Sequence, residues 1–153
     1  MKHTRNKLIE FIAESNRIEG ITRPPTQKEI QAHEIFLELR EVTVSDVEEF
    51  VDVVANKRLR RHLADDVVIG GHFAPPGGPG IETGLEMLLV GVNTWDLTPF
   101  EAHVRYELLH PFLDGNGRSG RVLWAWMMKR DGLNPFLRPF LQSFYYQALD
   151  NAR

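Results

Sequence analysis

Apolar residues recur along this chain at spacings of three and four, the period of a helix with one buried face. In the first segment Leu8, Phe11, Ile12, Ser15, Ile18 and Glu19 share a face, and Gly20 offers a C-terminal stop. Pro24 and Pro25 then interrupt the chain. Thr26-Gln-Lys-Glu29 has the spacing of a capping box and opens a second helix through Ile30, His33, Phe36 and Leu37. Ser45-Asp-Val-Glu48 reads as another box, with Val47, Phe50, Val51 and Val54 at helical spacing; Leu85, Leu88, Leu89 and Val92 repeat that pattern. Thr98-Pro-Phe-Glu101 is a third box, with Pro99 at the first helical position, where its missing N–H costs nothing. That helix runs through Val104 and Leu108 and delivers His110 at its end. Val122, Leu123, Trp126 and Met127 mark a further buried stripe, and a final helix carries Phe144 to Leu149.

Only one stretch reads as extended. Val67-Val-Ile69 runs into Gly70-Gly71 and then His72-Phe-Ala-Pro75-Pro76, β-branched residues followed by paired glycines, which predicts a short hairpin over residues 67–76. Gly77-Gly78-Pro79-Gly80 reads as a loop. The expected fold is mainly α, in the all-α class, as a single domain over 1–153 with one small hairpin.

Composition bounds the function. The 153 residues suffice for a real core, and 42% hydrophobic with 25% charged residues is ordinary for a globular chain. No apolar run reaches membrane-spanning length, and the first residues lack the apolar core of a signal peptide. The absence of cysteine removes disulfides and thiolate metal sites and fits a cytoplasmic setting. A net charge of −3 gives no general pull toward nucleic acid or anionic membrane. The basic cluster Lys57-Arg58-Leu59-Arg60-Arg61 reads as solvated surface, with partner docking as the lesser reading.

The chemistry is concentrated in His110-Pro-Phe-Leu-Asp-Gly-Asn-Gly-Arg-Ser-Gly-Arg121. Gly115-Asn-Gly117 between two helices leaves backbone N–H groups open to a ligand, and the following helix points the positive end of its dipole at the same spot. Arg118 and Arg121 sit in that helix's first turns, where two cations are unfavourable unless an anion offsets them. Asp114 can hold a magnesium ion bridging phosphates, and His110 is the group here able to take a proton near pH 7. Gly115 to Gly120 formally matches the dinucleotide G-x-G-x-x-G but follows a helix, not a strand. No Lys-Ser/Thr completes a P-loop, and Arg118 and Ala125 spoil an EF-hand. A plain helix–helix turn with solvated arginines explains neither His110 nor the paired arginines.

These twelve residues resemble the signature of the Fic domain family, His-x-Phe-x-Asp/Glu-Gly-Asn-Gly-Arg-x-x-Arg, at every fixed position. Looser resemblance covers the helical order, the hairpin Gly70-Gly-His-Phe-Ala-Pro-Pro76 and the ending Tyr145-Tyr-Gln-Ala-Leu149. The resemblance implies a protein adenylyltransferase that moves AMP from ATP to a Ser, Thr or Tyr hydroxyl of a target protein, self-modification included, and releases pyrophosphate. It implies His110 as general base, Asp114 as the Mg2+ ligand, and Asn116 with the Gly115 and Gly117 backbone as an anion hole. Arg118 and Arg121 would bind the outer phosphates, and Phe112 would anchor the core. The flap Val68, Ile69, Gly70, Gly71, His72 and Phe73 would clamp an extended target segment, a strand-addition contact. His72 reads as a loop residue rather than a catalyst, and Tyr145 or Tyr146 either borders adenine or packs in the core.

Ser15 and Glu19 lie i, i+4 on an otherwise apolar face, which carries a carboxylate inward where burial is expensive unless paired. Alone, Glu19 would read as a helix-end residue reaching solvent. Beside the signature, Ser15-Asn-Arg-Ile-Glu19-Gly20 resembles the family's inhibitory motif, within an inhibitory helix over 1–20. The resemblance then has Glu19 pair with Arg121 and take the space of the γ-phosphate. Like charges about 4 Å apart repel by roughly 4 kcal/mol at an effective dielectric of 20, about 10³-fold in ATP binding. The reverse reaction, hydrolysis of AMP from targets, stays open, as does a homo-oligomer. Alternatives are transfer of UMP, phosphocholine or phosphate on the same scaffold, or a nucleotide-binding regulatory module without turnover.

Overall fold

The computed structural model describes residues 2–69 and 72–152, without the side chains of residues 2, 3, 68, 69, 72, 73 and 152. Seven helices are described: α1 (Lys2–Ile18), α2 (Gln27–Leu37), α3 (Val44–Val54), α4 (Pro79–Asn93), α5 (Pro99–Leu109), α6 (Asn116–Arg130) and α7 (Phe140–Ala152). Between α3 and α4 lies the expected hairpin, β1 (Val68–Ile69) against β2 (His72–Phe73), antiparallel with Val68 opposite Phe73 and Ile69 opposite His72. His72 is thus a strand residue, paired where a loop was expected. Gly70 and Gly71, and the flap's side chains, lie outside the described residues.

Helix α6 is the axis. Every residue from Arg118 to Met128 is buried, with α1, α2, α3 and α5 packed round it. Val122 to Met128 are apolar all round, as suits an interior helix, while Arg118, Ser119 and Arg121 before them are buried on hydrogen bonds. The two tryptophans of α6 bring polar N–H groups inside, and both are answered: Trp124 donates to Gln147 at 2.8 Å and Trp126 to the Leu39 carbonyl at 2.9 Å.

The boxes at Thr26–Glu29 and Thr98–Glu101 form as expected, each with reciprocal hydrogen bonds. The third sits two residues earlier than the sequence suggests, with Thr43 capping and Asp46 reaching back. Ser45 lies inside the helix, which begins at Val44, and Glu48 bonds Arg61 instead, at 2.9 and 3.0 Å. The glycine loop also ends sooner, since Pro79 is the first residue of α4. Helix α7 begins at Phe140, four residues before Phe144.

On two helical faces polar residues displace apolar ones from the interior: those on α5 have partners, while Asn16 Nδ2 on α1 has none among the described residues. On α5 the buried residues are Pro99, Ala102, His103 and Tyr106, while Leu108 is exposed. The Tyr106 hydroxyl meets the Ser119 hydroxyl at 2.6 Å, so its burial is compensated. On α1 Asn16 is buried and Ile18 is exposed. There the helix closes with Gly20 at φ 81°; Ile21 N–H bonds the Asn16 carbonyl and Gly20 N–H the Arg17 carbonyl, both at 2.9 Å. This Schellman closure puts Glu19 at the C-cap, one residue past the end of α1.

Candidate active site

His110 caps α5 in the left-handed conformation, φ 49° and ψ 62°. That is uncommon for a residue with a side chain, and Pro111 narrows its choices further. The site over-determines it. Its N–H bonds the Tyr106 carbonyl at 2.9 Å, and its own carbonyl accepts from Arg60 Nε at 2.6 Å. Burial pushes the imidazole below its ordinary 6.5, and Arg60 pushes the same way, against Asp114 and Glu19. The ring is therefore neutral at pH 7, the state a proton acceptor needs. Its Nδ1 is buried without a hydrogen-bond partner among the described residues.

The loop after His110 is closed by Asn116. Its Oδ1 accepts from Phe112 N–H at 2.8 Å and its Nδ2 donates to the Phe112 carbonyl at 2.9 Å. The Asn116 side chain thus braces the loop, and Phe112 is fully buried as expected of an anchor. Gly115, φ 84°, ends the loop against Ala55, where an added Cβ would lie 2.9 Å from the alanine methyl. It is the N-cap of α6, and no side chain caps that terminus. The first-turn N–H groups of α6 therefore point toward the site, where they favour an anion.

The two arginines are used differently. Arg118 turns into the body, Nη1 donating to the Val54 carbonyl at 2.6 Å, where the end of α3 favours a cation. Its Nη2 is 3.8 Å from the largely exposed Asp114 carboxylate. Arg121 faces α1: Nε donates to the Ser15 hydroxyl at 2.8 Å, Nη2 to the Ser15 carbonyl at 2.9 Å and to Glu19 Oε2 at 2.6 Å. An added Cβ on Gly117 would collide with that same Glu19 oxygen. The Glu19 carboxylate therefore lies on the opening turn of α6, at its positive pole.

Some expected residues are elsewhere. Tyr145 and Tyr146 are exposed, 59% and 45%, so neither packs in the core; Phe140, Phe144 and Gln147 take the inward face. The basic cluster is solvated surface only at Lys57 and Arg58, which are exposed. Arg61 is tied to Glu48 and Glu82, and Leu59 is buried and bridged to Phe112. Arg60 is fully buried. A run of cations at loop spacing carries no signal for this in the sequence.

Glu107 was also missed. Burial raises its carboxyl above the ordinary 4.5, with Arg121 lowering it and Glu19 adding to the rise. Its place three residues before His110 on α5 was the available clue.

A family model described as Fic/DOC matches residues 31–128. The chain belongs to the Fic/DOC family. Curated Fic relatives include the protein adenylyltransferase Fic of Drosophila persimilis, 34% identical over 128 residues, and that of Drosophila melanogaster, 32% identical over the same length. Each match covers 71% of this chain, and the chain spans about a quarter of those relatives (24%). Among solved structures it resembles Fic-1 (residues 134–508) of C. elegans, TM-score 0.66 at 22% identity, covering 99% of this chain and 56% of that one. A Fic domain containing signaling protein of Bacteroides thetaiotaomicron gives 0.57 at 22% identity, covering 85% and 65%. The Fic fold is therefore present, mainly helical as expected.

Proposed function

We propose that this chain is a protein adenylyltransferase restrained by its own first helix. One observation carries the reading: the Glu19 carboxylate rests on Gly117 and Arg121, the positive pole that a triphosphate would use. A carboxylate there is an internal stand-in for a phosphate group. With Glu19 withdrawn, Arg121 and the α6 N–H groups take the outer phosphates, and Arg118 contributes its charge from below. Phosphoryl chemistry of this kind depends mostly on positioning and charge neutralisation.

His110 accepts the proton of the target hydroxyl. The hydroxyl oxygen bonds to the α-phosphorus, the bond from that phosphorus to the β-phosphate bridge breaks, and pyrophosphate leaves. Asp114 is the residue that would hold Mg2+. Its Oδ1 accepts from Gly115 N–H at 2.7 Å and its side chain is largely exposed, a donor set suited to a metal sharing its ligands with phosphates. Bound there, the ion would offset phosphate charge. The hairpin would take an extended target segment as an added strand.

The deciding experiment incubates the Glu19→Gly chain with Mg2+ and mixed nucleotides and reads the adduct by mass spectrometry. A gain equal to AMP is expected. Another adduct, or bound nucleotide with no adduct, overturns the assignment of AMP transfer.

A further inference from the structure

Arg60 is the most buried charge in the described molecule and it pairs with no carboxylate. Four of its N–H donors go to backbone carbonyls. Nε reaches His110 at 2.6 Å and Nη2 reaches Leu109 at 3.0 Å. Nη1 reaches Asp65 and Pro75, both at 2.9 Å. The backbone of Arg60 adds two more ties, its N–H to the Pro111 carbonyl at 2.9 Å and its carbonyl from Gly78 N–H at 2.8 Å.

The placement of those acceptors is informative. Leu109 and His110 end the helix that presents the imidazole. Asp65 precedes β1 and Pro75 follows β2, so they are the two stems of the hairpin. The stem is further closed by Gly77 N–H on Asp66 Oδ1 at 3.0 Å. One planar guanidinium therefore sets the distance between the hairpin and the base. Its fork suits this, since its donors point in fixed directions. A buried cation hydrogen-bonded only to carbonyls, with the Asp66 and Asp65 carboxylates acting on it from further off, is a costly arrangement that apolar packing would avoid. Its cost is explained if the register it fixes matters for the reaction.

We propose that Arg60 is a positioning residue, holding the hairpin at a fixed offset from His110 so that a hydroxyl carried by a docked segment meets the imidazole. This rests on the reading under which the hairpin receives the target. Arg60 touches neither nucleotide nor target itself.

The test compares Arg60→Met and Arg60→Lys in the Glu19→Gly chain, with the His110→Ala chain as acceptor and radiolabelled ATP as donor. Expected are a fivefold or greater rise in KM for the acceptor, a tenfold or greater fall in kcat, and a KM for ATP within twofold. Lysine does not rescue, because one ammonium cannot address carbonyls on two sides. Amide exchange accelerates at Asp65, Gly77, Gly78 and His110 together, while Ser119 and Asp131 in and after α6 keep their protection. An unchanged acceptor KM, or full rescue by lysine, overturns the proposal. If the Glu19→Gly parent labels nothing, the transferase reading fails. Amide exchange then decides for Arg60: acceleration at the stem alone, or across the whole chain, sinks it.

Discussion

Glu19 Oε2 accepts from Arg121 Nη2 at 2.6 Å, joining positions 102 residues apart in the chain. Ser15 strengthens the same grip through both its hydroxyl and its carbonyl. One arginine is thus held by both ends of the last turn of α1. The Ser15→Ala chain leaves the buried Arg121 Nε without an acceptor, a loss of about 1–3 kcal/mol. It should raise basal self-labelling, by less than Glu19→Gly does. Labelling equal to wild type in a folded Ser15→Ala chain would show that the Ser15 hydroxyl adds nothing to the hold of α1 on Arg121.

His110→Ala is expected to remove detectable transfer while ATP binding to the Glu19→Gly chain stays within about threefold, a change of under 1 kcal/mol. A general base contributes roughly 10²–10⁴-fold. Because burial holds the imidazole below 6.5, the base is already free at neutral pH. Transfer should be flat from pH 7 upward and fall on acidification below about 6.5. A profile still climbing above pH 8 would assign the proton to another group.

Stability should decline on mild acidification. Burial lowers both His33 and His103 from 6.5 to about 4. The unfolded chain then binds protons below pH 6.5 that the folded chain refuses until about pH 4. Stability is therefore full above 6.5 and is lost progressively toward 4, by at most about 3 kcal/mol per residue. Glu107, raised by burial, works in the opposite sense. Its folded form holds a proton more readily, which offsets part of the loss above 4.5. Burial would raise the Glu29 carboxyl, but its bonds to Arg23 and Thr26 lower it on balance, so its contribution is present above about 4.5 and is lost only as the pH falls further. Urea midpoints at pH 7 and 5 check this, with His103→Gln expected to shrink the difference.

Gly115→Ala should cost about 1–2 kcal/mol for the left-handed backbone alone. Steric overlap with Ala55 and Val51 adds to it. Thermal melting measures the loss. A melting temperature unchanged from wild type would mean that the loop relaxes more freely than its packing implies.

Much of this site was legible from residue order. The twelve-residue signature carries its own backbone demands: glycine where φ is positive, and asparagine where a side chain must answer the backbone four residues earlier. Glu19 and Arg121 were paired on resemblance, and their geometry follows from a Schellman closure that Gly20 signals. What could not be read were contacts between side chains and distant carbonyls. Arg60 meets residues 5, 15, 49 and 50 positions away, and nothing in Lys57 to Arg61 distinguishes it from its neighbours. The same blindness applies to His103 and Tyr106, which the helical pattern did not mark and which are buried against Gly120 and Ser119. It applies also to Glu48, which bonds Arg61 rather than closing a cap on Ser45.

Because each acceptor gripped by Arg60 is a main-chain oxygen, its anchorage is indifferent to which amino acids stand at 65, 75, 109 and 110, so long as the backbone keeps its course. Residues 67–74 can diverge from one descendant to another without loosening that mooring. If the hairpin receives the target, as proposed, such a chain is free to exchange clients by substitution in one short ribbon while the machinery beneath it is inherited intact.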